Sequence, residues 1–406
     1  MVSEEIIGSE SASLGVWVRA GAIHENKKNA GISHFVEHMM FKGTKKRTAK
    51  ALAEDVDRIG AQINAFTGKE ATCYYIKTLA SNLRPSMEIL LDMFNDALFD
   101  SEEMEREKLV VYEEMKMVED MPDEYAHELI SEIVFRERPL GQNILGTKES
   151  VADLSRDDIL DYIQQQYTGN NIVFSIAGNF DWSWIVDFLE ERLKGRRRGK
   201  LSLVYERAKK EPAYLVKVRD IEQSHICLGI PSLPMNHPDY YAFSIINSIM
   251  GGTMSSRIFQ NIREQKGLAY SVYSVNSSFA RDGYYIIYAG VSHGKISEAI
   301  GAIGEELSLL DSDGVSEEEL NRAKEQQKSS YIFGQESVNG RMFSNGKNTT
   351  LLGKAKTAQE VLKAIDQVSR EDIHRVAEEF VRMDRYSGVI VTNREIPLKE
   401  LIQGRK

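Results

Sequence analysis

Apolar residues along this chain recur with two periods, and the switches between them mark out its elements. Leu14-Gly15-Val16-Trp17-Val18 is a near-continuous apolar run and predicts a buried strand. Ile32 to Phe41 carries apolar residues at helical spacing and is entered through Gly31, and a second helix is expected from Ala49 to Ile59. Gly60 ends that helix before Gln62-Ile63-Asn64-Ala65-Phe66-Thr67, which alternates as a strand does, and Thr72 to Leu79 reads as its neighbour. Helical patterns follow over Leu83 to Leu98 and Glu102 to Val118, then a strand at Ile172 to Ile176 and a helix at Trp184 to Leu193.

The second half starts again with strands, Ala213 to Val218 and His225 to Ile230. Helices at Tyr240 to Ile249 and Ser256 to Gln265 flank Gly251-Gly252, and Tyr270 to Ser278 with Tyr284 to Val291 reads as a strand pair. Helices return at Ile296 to Leu310 and Ser316 to Tyr331, and the last strand lies near Gly388 to Val391. Both halves thus run strand, helices, two strands, helices. That order predicts an α+β protein of two homologous domains, each an antiparallel-rich sheet packed with helices. Between them Lys194-Gly195-Arg196-Arg197-Arg198-Gly199-Lys200, polar and basic to about Lys210, reads as an exposed linker. The expected boundaries are 1–194, a linker at 195–211, and 212–406.

The length of 406 residues fits two cores better than one. No apolar run reaches the length of a membrane span, and Met1-Val2-Ser3-Glu4-Glu5 does not open a signal peptide. Cys73 and Cys227, the 2 cysteines, lie in separate strand-like stretches and are expected as buried free thiols, which suits a reducing cytoplasm. The net charge of -10 argues against nucleic-acid binding and suits a basic partner or substrate. Much of that acidity falls between Glu102 and Glu124, as the solvated face of a helix or as part of a substrate chamber.

Candidate chemistry concentrates at His34-Phe35-Val36-Glu37-His38. At 3.6 residues per turn the two imidazoles share one helix face with Glu37 beside them, as a catalytic zinc and its water require. A third ligand must arrive from another element, and the acidic helix Glu102 to Glu119 offers several carboxylates that spacing does not separate. His24, His127, His225, His237, His293 and His374 have no partner at ligand spacing. A purely structural zinc would fill all four positions with Cys and His, and no cysteine lies near the motif.

Several segments in order resemble the pitrilysin-type zinc peptidases with the inverted motif, in particular their bacterial branch similar to mitochondrial processing peptidase. They are Gly31 to His38 with Phe41-Lys42-Gly43-Thr44, Asn64-Ala65-Phe66-Thr67, Glu105 to Met115, and Arg263-Glu264-Gln265-Lys266-Gly267-Leu268-Ala269-Tyr270-Ser271. The resemblance covers nearly the whole chain. It implies a zinc metalloendopeptidase that cuts extended oligopeptides or leader-like segments, with one Zn2+ per subunit. It implies His34, His38 and Glu114 as ligands, Glu37 as the base that activates the attacking water, and Glu107 as an orienting or assisting carboxylate. Glu113 is the neighbouring rival for the third ligand and projects about 100° away from Glu114. Arg263 and Tyr270 match a pair that binds substrate and steadies the developing oxyanion, and Asn64 and Ala65 match the edge strand along which a peptide aligns. Phe66 and the paired tyrosines are equally expected in the core, Tyr75 above all. Relatives of this kind carry residues ahead of position 1 that complete a first strand, so the edge of the first sheet is left open. Two such units per chain imply a homodimer whose composite sites take zinc from one subunit and the Arg-Tyr pair from the other. The alternative is a noncatalytic scaffold or partner subunit of the same family; such relatives lack the histidines or the glutamate.

Overall fold

A computed structural model describes residues 1–199, 205–209 and 211–404. It contains two compact units. The first comprises Met1–Met115, Gln142–Val204 and Ile332–Lys356, the second Lys116–Gly141, Tyr205–Tyr331 and Thr357–Lys406.

The first unit holds β1 (Val2–Glu5), β2 (Ser11–Val18), β3 (Gln62–Thr67), β4 (Thr72–Leu79) and β5 (Ile172–Gly178) in one sheet ordered β1-β5-β2-β4-β3. Only the β1–β5 pairing is parallel. The second unit repeats this with β6 (Tyr214–Val218), β7 (Ser224–Pro231), β8 (Ala269–Ser278), β9 (Gly283–Val291) and β10 (Ser387–Thr392), ordered β6-β10-β7-β9-β8. Again one pairing, β6 with β10, is parallel. Each strand of one sheet has its counterpart in the other at the same place, so the duplicated α+β unit holds at the level of topology. Val2–Glu5, which the sequence pattern left unassigned, is the outer strand of the first sheet.

A single cut at 195–211 does not separate the units. An antiparallel-rich sheet can leave one face to water unless that face is apolar too; here cover is supplied, and the two sequence halves exchange it. The helix Pro122–Phe135 packs on β7 and β10 of the second unit, burying Ala126, Ile130 and Val134 among Cys227, Ile286, Val389 and Val391. The helix Val338–Leu352 packs on β2 and β5 of the first unit. Its contact is close and mixes apolar with polar groups: the Phe343 ring lies 4.8 Å from that of Tyr75, Ser175 Oγ donates to the Met342 carbonyl at 2.8 Å, and Asn345 donates to the Glu4 carboxylate at 2.8 Å. Gly346 lies so near the Trp17 indole that a Cβ there would sit 2.0 Å from its Nε1.

Within the basic segment Lys194, Gly195, Arg197 and Arg198 are exposed, and Arg196 is partly covered. Arg196 donates to the Tyr167 carbonyl at 2.9 Å and lies 4.6 Å over the Phe94 ring, so its stem covers apolar surface while its head is satisfied. Residues 200–204 and 210 of the expected linker lie outside the described residues. Both cysteines are free and fully buried. Among the described residues no helix is long and apolar enough to cross a membrane.

Candidate metal centre

The helix Ile32–Met40 buries Ile32, Phe35, Val36, Met39 and Met40 against the first sheet, which leaves His34, Glu37 and His38 on its partly open side. Its start is fixed by two devices. Gly31 takes φ +89°, and any side chain there would meet the Leu145 carbonyl at 2.5 Å. Glu25, itself buried, accepts from the Gly31 N–H at 2.7 Å and the Ser33 N–H at 2.9 Å. A carboxylate is well placed there, because the first turn presents unpaired N–H groups and positive dipole charge. Burial pushes the Glu25 carboxyl up to about 7, against the pull of those hydrogen bonds.

The helix Ser101–Asp120 supplies the remaining carboxylates. His34 Nε2 lies 3.7 Å from Glu114 Oε2, and His38 Nε2 lies 3.6 Å from Glu114 Oε1. His34, His38 and Glu114 each offer a ligand atom, all within 4.8 Å of one another, and no other such group of three occurs among the described residues. Tetrahedral zinc with ordinary bond lengths spaces its ligand atoms by about 3.3–3.4 Å, so a single ion could draw these three donors together. Glu114 Oε2 is buried without a hydrogen-bond partner, as expected of an oxygen meant for a cation. Glu113 is exposed and stands outside the group.

Glu107, two turns earlier and 5% exposed in its side chain, accepts from His38 Nδ1 at 2.8 Å and pairs with the Lys42 ammonium. That bond turns His38 Nε2 toward Glu114, the arrangement by which a carboxylate orients a metal-binding imidazole. Burial lowers His34 to about 4, with the neighbouring His38 adding to the effect. Burial also works to lower His38, but the Glu107 hydrogen bond and the nearby carboxylates hold it above its ordinary value. Glu107 is opposed by its own burial, yet His38 and Lys42 keep it below the usual carboxylate range. Glu37 is pushed up by burial, and the hydroxyl of Thr67, which donates to its Oε2, works the other way.

The sequence pattern assigns no part in holding the metal ligands or the base to Glu25, Lys42 or Thr67. For Thr67 a signal existed, since alternation in β3 sends Ile63, Ala65 and Thr67 to the side of the helix Ile32–Met40. The same alternation turns Asn64 and Phe66 away. Phe66 meets Trp17, Tyr75 and Phe343 at ring separations of 5.5, 6.5 and 5.8 Å. Tyr74, not Tyr75, is the fully buried tyrosine of the pair. β3 ends the sheet, so one of its edges has no strand partner among the described residues, and the Ala65 N–H donates to the Asn64 side-chain oxygen at 2.8 Å.

Arg263 and Tyr270 belong to the second unit. The Arg263 guanidinium lies 4.9 Å over Phe259 and 5.1 Å over Tyr270, which is 78% exposed. Residues Phe259–Gln265 form a wide π-helical turn where an ordinary helix was expected, and Gly267 at φ +56° leads into β8. None of the six remaining histidines joins a metal-competent group among the described residues.

Comparison with known proteins gives these features a family setting. Residues 1–148 match the family described as Insulinase (Peptidase family M16), and residues 153–327 match Peptidase M16 inactive domain. The Bacillus subtilis (strain 168) protein named Uncharacterized zinc protease YmxG is 40% identical over 391 residues, spanning 95% of this chain and 94% of that protein. A Rickettsia felis protein named Uncharacterized zinc protease is 34% identical over 95% of this chain and 93% of its own length. The crystal structure of a protease from Helicobacter pylori superposes with a TM-score of 0.88 at 20% identity, covering 96% of each chain, a likeness of fold.

Proposed function

The chain belongs to peptidase family M16, and from that membership we propose that it is a zinc metalloendopeptidase acting on extended peptides. The observation that carries the reading is the convergence of His34 Nε2, His38 Nε2 and the Glu114 carboxylate with Glu37 beside them. A zinc ion bound there would polarise a water and the scissile carbonyl. Three protein ligands leave a fourth position open, as hydrolytic rather than structural sites do. Glu37 takes the proton of the attacking water and returns it to the leaving amine. Glu107 holds His38 in the tautomer that presents Nε2.

β3 receives the substrate. Strand addition supplies backbone hydrogen bonds and asks little of side-chain identity, so the expected substrates are unfolded segments of loose sequence preference, with basic ones favoured by the charge of -10. The peptide carbonyl would take over the Ala65 N–H from Asn64. Arg263 and Tyr270 serve as donors to the developing oxyanion, contributed by the partner in a homodimer with one zinc per subunit. Both sets of residues are present in one sequence, which makes a second gene product unnecessary. The scaffold alternative has less support, because the complete ligand set and Glu37 are retained.

Cleavage of an unstructured basic peptide, abolished by a chelator and restored by zinc, is the expected result, and no cleavage by zinc-loaded protein counts against the reading. Mixing Glu37→Gln subunits with Arg263→Ala subunits tests the composite site. Two-fold symmetry predicts that exchange restores about a quarter of wild-type activity, because half the dimers regain one intact site. Full activity in a monomer, or no recovery on mixing despite subunit exchange, would contradict it.

A further inference from the structure

Glu37 has three rotatable side-chain bonds and must place one oxygen toward the attacking water. Such a side chain gives up rotamer freedom when fixed, so something must hold it. Among the described residues the one hydrogen bond to its carboxylate comes from Thr67, whose hydroxyl donates to Oε2. Oε1 is left for the water.

Thr67 is itself held. It is the last residue of β3 and pairs in register with Thr72 of β4. The turn between them closes through the Gly68 N–H and the Ala71 carbonyl at 2.9 Å, and the Ile23 N–H ties it to the loop before the metal helix through the Lys69 carbonyl at 2.9 Å. Thr72 gives its hydroxyl proton to the Ala20 carbonyl at 3.0 Å, with Thr67 Oγ1 3.4 Å away, so the Thr67 proton is the one directed at Glu37. A β-branched side chain with a single stiff torsion on a backbone anchored at two points is a rigid donor.

We propose that Thr67 is the positioning residue for Glu37, and that it links orientation of the base to the strand on which a peptide docks. The inference rests on the general-base role assigned to Glu37 above. A peptide pairing with the free edge of β3 steadies the strand, and with it the hydroxyl that aims the base. The contribution therefore falls on turnover rather than on substrate affinity.

Three variants test this. Thr67→Val keeps the shape and strand preference and removes the donor, Thr67→Ser keeps the donor and removes the methyl, and Thr67→Ala serves if the valine variant fails to fold. Losing a hydrogen bond to a charged group corresponds to about ten- to a hundredfold in kcat. The expected result is that loss in the valine variant, with KM within about twofold, zinc content unchanged, and serine within about threefold of wild type. Wild-type kcat in the valine and alanine variants, or serine as impaired as valine, would overturn the proposal. A second readout does not depend on activity. Crystals of zinc-free wild type and Thr67→Val should show the Glu37 carboxylate on Thr67 in the first and turned away in the second; the same position in both would also overturn it. Absence of cleavage by wild type would instead sink the peptidase reading, and the crystallographic comparison would still decide the role of Thr67.

Discussion

Glu107→Gln is the substitution whose effect the geometry sets most closely. The Glu107 carboxylate is nearly buried and does two things at once, accepting from His38 Nδ1 at 2.8 Å and neutralising Lys42. Glutamine has almost the same shape and can still accept one hydrogen bond, so packing is preserved. What is lost is the charge on the acceptor and the partner of a lysine ammonium held against it. A hydrogen bond to a charged group contributes about 1.5–3 kcal/mol, and 1.4 kcal/mol is about a factor of ten. Zinc affinity should therefore fall by about ten- to a hundredfold, the range expected when a carboxylate behind a metal-binding imidazole is removed. Competition with a chelating dye measures it directly, with circular dichroism confirming the fold. An affinity within twofold of wild type would refute the idea that Glu107 orients His38.

Three further outcomes follow from the same geometry. Alanine for glycine inside a helix ordinarily gains up to about 1 kcal/mol, but at position 346 the new Cβ would sit 2.0 Å from the Trp17 indole, and overpacking costs about 1–3 kcal/mol; Gly346→Ala should lower the urea midpoint, and a higher midpoint would contradict the close packing. His24 is lowered to about 4 by burial, so the unfolded chain binds its proton first as pH falls. The stability this provides is complete above pH 6.5 and drains away toward pH 4. Between pH 7 and pH 5 the wild type should lose on the order of 2 kcal/mol more than His24→Asn, and parallel losses in urea titrations would show that His24 does not stay neutral in the folded protein. Zinc at a hundred times its dissociation constant should raise stability by about 2.7 kcal/mol, seen as a higher thermal midpoint that a chelator reverses; an unchanged midpoint would argue against a site built in the native state.

Much of the fold was legible because its strands carry their pattern openly. Gln62–Thr67 and Thr72–Leu79 begin and end where alternation and flanking glycine or polar residues say they should. The helix Val338–Leu352 was missed for the opposite reason. Its docking face mixes Met342 and Phe343 with Asn345, Gly346 and Thr350, so the apolar period is interrupted and has little to register. The exchange of covering helices escaped for a related reason, since nothing local in residues 122–135 or 338–352 names the sheet each will cover. At the site, helical spacing alone put His34, Glu37 and His38 together. It could not choose among the carboxylates of Ser101–Asp120, because which of them meets the histidines depends on how two helices pack. Thr67 shows the same boundary from the other side: its alternation was visible, but its partner 30 residues earlier was fixed only by the strand lying over the helix Ile32–Met40.

In the proposed function Glu37 is the base at a zinc centre formed by His34, His38 and Glu114. The most direct test compares wild type and Glu37→Gln, each with its zinc measured, in cleavage of the same unstructured peptide. Equal zinc content with turnover reduced by about 10²- to 10⁴-fold in the variant is the predicted result. Equal cleavage by the two proteins would contradict it.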